Sequence, residues 1–73
     1  MKFFVVKYKN NQAIWAKEIK YIHEAAEEAE AIQPDEMFEE MDETGSVSAR
    51  WYYAATMAAI AERERRRKAQ QTA

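Results

Sequence analysis

The residues of this 73-residue chain that could carry chemistry are few. His23-Glu24-Ala25-Ala26-Glu27 is half of the zinc-protease pattern H-E-x-x-H. On a helix, that spacing would set His23 and Glu27 on one side. A catalytic zinc takes three protein ligands, and His23 is the only histidine present. The pattern therefore reads as a solvent-facing helix start, and no metal or other cofactor is expected. Ser46 and Ser48 stand where a helix would begin, and read as caps and not as nucleophiles. No G-x-S-x-G elbow and no phosphate-cradling glycine loop occurs in a chain with one glycine. Carboxylates are abundant, but a catalytic acid needs a desolvated pocket to tune it. Seventy-three residues with alanine-rich helices leave little room for one. The chain is expected not to be an enzyme.

Charge is the stronger signal. The net charge of −2 hides three blocks. Residues 1–21 hold five lysines and Glu18; residues 24–43 hold ten carboxylates and no lysine or arginine; residues 44–73 hold six bases and two acids. An uncompensated acidic run repels itself unless it is paired, and otherwise presents a negative field to a basic partner. Glu27, Glu28, Glu30, Glu36, Glu39, Glu40, Asp42 and Glu43, with Tyr52 as an exposed aromatic, are the expected partner-binding residues. They would take the place of phosphates on a basic surface, including one that binds nucleic acid. Arg63, Arg65, Arg66, Arg67 and Lys68 offer the alternative of direct nucleic-acid binding. Against it, Trp51, Tyr52 and Tyr53 lie about 15 Å earlier along a helix, and the cations also suit the negative end of their own helix.

These residues must be positioned by a small fold. A chain this short buries only roughly 60–65% of its unfolded surface, and without cysteine it has no disulfide to help. The four-residue apolar run near the N-terminus is too short for a signal peptide, and nothing approaches a membrane span. A cytoplasmic protein is expected. Residues 2–8 and 13–21 read as two strands around Asn10-Asn11, a dipeptide that tolerates positive φ. A plain two-residue loop pairs Tyr8 with Ala13, Val6 with Trp15 and Phe4 with Lys17. Phe4, Val6, Tyr8, Trp15 and Ile19 then share one face, yet Phe3, Val5, Ile14 and Ala16 make the other face apolar as well. A two-stranded sheet is also marginal and has two open edges. A second copy covering the hairpin is therefore a further alternative, making the chain an oligomer-forming structural protein.

Ile22, Ala25, Ala26, Ala29 and Ile32 form a helical stripe over residues 22–33, ended by Pro34. Pro34, Asp35 and Glu36 suit the start of a second short acidic helix, with Met37, Phe38 and Met41 on one side and Gly45 as its stop. Residues 46–70 read as one long helix, fraying before Thr72. Its Trp51, Tyr53, Met57 and Ile60 form the floor on which the rest packs. The expected architecture is α+β, ββααα, in one domain: a hairpin over 1–21, two short helices over 22–44 and the long helix. No motif here names a family. In size, lack of cysteine, hairpin-plus-helices build and acidic cluster, the chain resembles in style the small phage-encoded inhibitors of host machinery, anti-CRISPR proteins among them. That resemblance implies a non-enzymatic inhibitor or regulator that occupies a basic surface of a larger protein or protein–nucleic-acid complex.

Overall fold

The computed structural model describes residues 1–71. In chain order the elements are β1 (Phe3–Lys9), β2 (Gln12–Ile19), α1 (Ile22–Glu30), β3 (Glu36–Asp42), β4 (Val47–Tyr52) and α2 (Tyr53–Gln71). The class is α+β, but the order is ββαββα and not ββααα. All four strands form one antiparallel sheet in the order β2-β1-β3-β4. Thr72 and Ala73, where the last helix was expected to have frayed, lie outside the described residues.

The first hairpin turns as its sequence directs. Asn10 and Asn11 both take positive φ, 51° and 66°, and Tyr8 pairs with Ala13. One residue further the register slips. Lys7 pairs with Trp15, Val6 with Ala16 and Phe4 with Glu18, because Ile14 is an extra residue bulged out of β2. A slip of one residue exchanges the two faces of a strand. Trp15 and Ile19 therefore join Phe3 and Val5, while Ala16 and Glu18 join Phe4 and Val6.

The expected second helix is instead β3, and it occupies the sheet's centre. Met37, Phe38 and Met41 fit a helical stripe, but they fit a strand equally well. Phe38 then points to one side, and Met37 and Met41 to the other. What decides is nonlocal: β1 needs a second neighbour, and β3 pairs with it along seven residues, from Phe3↔Asp42 to Lys9↔Glu36. Gly45, at φ +87°, stops no helix. It turns β3 into β4, with Asp42 accepting bonds from the Thr44 amide at 2.8 Å, the Thr44 hydroxyl at 2.5 Å and the Ser46 amide at 3.1 Å. Ser46 and Ser48 cap no helix either, since β4 runs from Val47 to Tyr52.

The core lies between the sheet and α1. Ala25, Ala29 and Ile32 are buried against Val5, Ile19 and Phe38, with Trp15, Trp51 and Met57 packed around them. The small alanines let α1 sit close to the strands. Ile22 and Ala26, expected on the same stripe, are exposed. Phe38 and Val5 are fully buried. The Trp15 ring meets Phe38 edge-on at 6.0 Å, and the Lys7 ammonium lies 5.7 Å from the centre of the Phe38 ring. Helix α2 is not the floor of the molecule: none of its residues is buried. It touches the body through Met57 and an ion pair from Arg63 to Glu30 at 3.0 Å, on the α1 side. The smallest Cα extent is 15 Å, the depth of one sheet and one layer of helices.

Truncating Phe38 to alanine removes the centre of this core. It should cost about 3–5 kcal/mol, most of the stability of so small a domain. Ile14→Ser, at the exposed bulge, should stay within about 0.5 kcal/mol. Urea unfolding of both variants checks the contrast, and equal losses would misplace the core.

Candidate functional site: an uncovered sheet face

Most of the acidic block is spent inside the fold. Asp35 pairs with Lys9 at 3.9 Å, Glu36 with Lys7 at 3.1 Å, Glu28 with Lys17 at 3.0 Å and Glu39 with Arg50 at 2.5 Å. Glu30 holds Arg63. Glu24 accepts the backbone amides of Lys20 and Tyr21 at the start of α1, at 2.7 and 2.9 Å. Glu40 is buried and accepts the Ser48 hydroxyl at 2.7 Å. Of the ten carboxylates, only the side chains of Glu27 and Glu43 have no such partner among the described residues. The residues proposed as one acidic face are divided. Glu27, Glu28 and Glu30 lie on α1; Glu36 and Glu40 lie on the helix-covered side of β3; Glu39 lies on its far side; Asp42 and Glu43 lie at the second turn.

The physical reason is register. β1 brings Lys7 and Lys9 beside β3, and β4 brings Arg50 directly opposite Glu39. The basic and acidic blocks of the sequence meet across the sheet. The arginines of α2 behave in the same way. Arg65 and Arg66 bond to Glu62, and Arg67 bonds to Glu64, one turn away. His23 stacks on Tyr21 at 5.5 Å, in an exposed position. No group of three or more His, Asp or Glu among the described residues could hold a metal ion. Among the described residues, no helix is long and apolar enough to cross a membrane.

The side of the sheet opposite α1 is different. Alternation and pairing place three cross-strand rows there: Ala13–Tyr8–Met37–Tyr52, Ala16–Val6–Glu39–Arg50 and Glu18–Phe4–Met41–Val47. Nine of these twelve side chains are apolar or aromatic. No described element packs on them: α1 and α2 are both on the other side. Phe4, Tyr8, Met37, Met41 and Val47 are half-buried by one another, and Tyr52 is 53% exposed. A contiguous apolar patch of this kind is a candidate contact surface. Tyr52 is exposed as expected, while Phe4, Met37 and Met41 carry no sequence signal of their own that marks them as a surface. The available signal was the apolar character of both hairpin faces.

One polar knot sits within this face. Glu39 is 7% exposed; it accepts Arg50 Nε and the Tyr8 hydroxyl. The bond from Arg50 holds its carboxyl below the ordinary carboxylate value. The hydrogen bond to Glu39, and then burial, push the Tyr8 hydroxyl above its ordinary value. Bonds from Thr44 lower Asp42, and those from Tyr21 and Lys20 lower Glu24. A carboxyl whose pKa is lower folded than unfolded adds stability above the unfolded value, about 4.3 for glutamate. That stability disappears as pH falls through the folded value. Urea midpoints should therefore hold steady from neutral pH down to about 5 and decline below it. Glu39→Gln should give a shallower decline, and an unchanged acid slope would remove Glu39 from this role. No family model matches the chain, and neither a curated protein nor a solved structure does.

Proposed function

We propose that this chain is a non-enzymatic protein-binding domain, an inhibitor or regulator that acts by covering a surface of another protein chain. The observation that carries this reading is the uncovered sheet face. Its aromatic and methionine side chains are the residue types that supply most binding energy at interfaces, and methionine adapts to irregular surfaces. The face lies on rigid strands, so little order is lost on binding. The carboxylates contribute less than their number suggests. Those on β3 are tied up inside the fold, and electrostatic contact with a basic partner falls to the solvent side of α1, chiefly Glu27.

Binding through the face and binding through α1 separate experimentally. The chain is used as bait in a lysate of its source cells beside two variants, Met37→Lys/Tyr52→Glu on the face and Glu27→Lys/Glu28→Lys on α1. Captured proteins should be lost with the first variant and kept with the second. The opposite pattern would return the function to the acidic helix.

A second reading rests on the end of α2. Arg63, Arg65, Arg66, Arg67 and Lys68 outnumber Glu62 and Glu64 by three charges, on a helix that buries none of its residues. Nucleic acid is the partner such a stripe would fit. A gel-shift titration with duplex DNA and with RNA at low salt decides it, and no shift in either eliminates this reading.

A further inference from the structure

We propose that the uncovered sheet face is a homodimer interface, on which a second copy of this chain stacks about a two-fold axis parallel to the strands. This rests on reading the face as a binding surface, and it names the chain that covers it. The support is the distribution of size and charge across the strand order β2-β1-β3-β4. A two-fold axis along the strands lays β2 of one copy over β4 of the other, and β1 over β3, with each cross-strand row facing its own equivalent.

Row by row, the two surfaces fit. On β2 the face carries Ala13 and Ala16; on β4 the same rows carry Tyr52 and Arg50. The smallest side chains thus meet the largest. On β1 it carries Phe4 and Tyr8; on β3 the same rows carry Met41 and Met37. Each aromatic ring then faces a thioether, a favourable pairing. Charge points the same way. Glu18, on β2, has no partner among the described residues, while Arg50, on β4, is exposed beyond its bond to Glu39. Stacking brings Arg50 of one copy over Ala16 of the other, one row from Glu18 and within reach of an arginine side chain. The alternative two-fold axis, across the strands, would lay β4 on β4 and set Arg50 against Arg50. Like charges select the first arrangement.

Size sets the strength. Four strands about 4.8 Å apart and three rows about 6.8 Å apart give a footprint of roughly 400 Å² per copy. Standing side chains add to that area, but it remains at the low end for specific interfaces. The dimer should therefore form in the micromolar range and exchange with monomer. The two sheets would pack about 10 Å apart, as in a β-sandwich, with both α1 helices and both α2 helices outside.

Sedimentation equilibrium of the full chain, from low micromolar to millimolar concentration, tests this. The wild type should pass from monomer to dimer. Ala16→Arg fills the slot facing Arg50, and Glu18→Arg sets two cations together twice in the symmetric pair; each should weaken dimerisation by roughly tenfold or more. Both residues are exposed, and circular dichroism checks that each variant folds. Ala58→Arg, exposed on α2 on the opposite side, should leave the dimer unchanged. A strict monomer at millimolar concentration overturns the proposal, as does a dimer insensitive to Ala16→Arg and Glu18→Arg. A monomer whose captured proteins still depend on Met37 and Tyr52 loses only this proposal. A monomer without that dependence loses the binding-face reading as well.

Discussion

A four-stranded sheet has two faces, and this chain has helix enough to cover one. That imbalance governs the rest. Helix α1 is nine residues long and buries Ala25 and Ala29, which suffices to seal Val5, Ile19 and Phe38 but nothing beyond the sheet. Helix α2 is twice as long and stays on the same side, held by Met57 and by Arg63 on Glu30. The chain therefore keeps one dry core and one face whose apolar side chains shield only each other. Val6 shows how far that shielding goes: it is 7% exposed on a face that no element covers, screened by its row neighbours and by Glu39.

Charge pairing makes this layout tolerable. Three acids on the central strand β3 would be costly without partners. Glu39 has Arg50 and Tyr8, while Glu40 has Ser48. Glu36, at the strand end, has Lys7, whose ammonium also lies over the Phe38 ring. The block pattern that suggests an external negative field thus has an internal meaning: basic β1 and acidic β3 are neighbours. Exposed pairs such as Lys17 with Glu28 add little stability individually. The half-buried ones fix register, because a shift of one residue would put Arg50 and Lys7 out of reach of their acids.

Turn and periodicity signals hold at Asn10-Asn11 and in α1, the capping signals at Pro34, Gly45, Ser46 and Ser48 mislead, and the nonlocal signals are hidden. Asn10-Asn11 announces its turn, the alanine spacing announces α1, and the long last helix is legible too, though it begins at Tyr53 and not at residue 46. Ile14 gave no sign that it would bulge, and that one residue exchanged the faces of β2. Residues 36–42 were ambiguous because Met37, Phe38 and Met41 satisfy both periods, while glutamate and aspartate disfavour strands. Only the need of β1 for a second neighbour resolves them, and the marginal two-stranded hairpin was the clue to it. In residues 47–52, the strand formers Val47, Trp51 and Tyr52 are masked by the strong helix signal that follows them. The candidate face was illegible for the same reason: half of it comes from two strands that had read as helix.

The central claim is that the face opposite α1 is where this domain meets other protein. Methionine methyl groups report on it directly, since Met37 and Met41 lie on that face and Met57 lies on the other. Carbon–proton spectra of methyl-labelled protein, recorded across a dilution series, should show the Met37 and Met41 signals moving with concentration while Met57 holds still. Movement of Met57 with Met37 and Met41 fixed would contradict the account, for it would place the contact on the helical side.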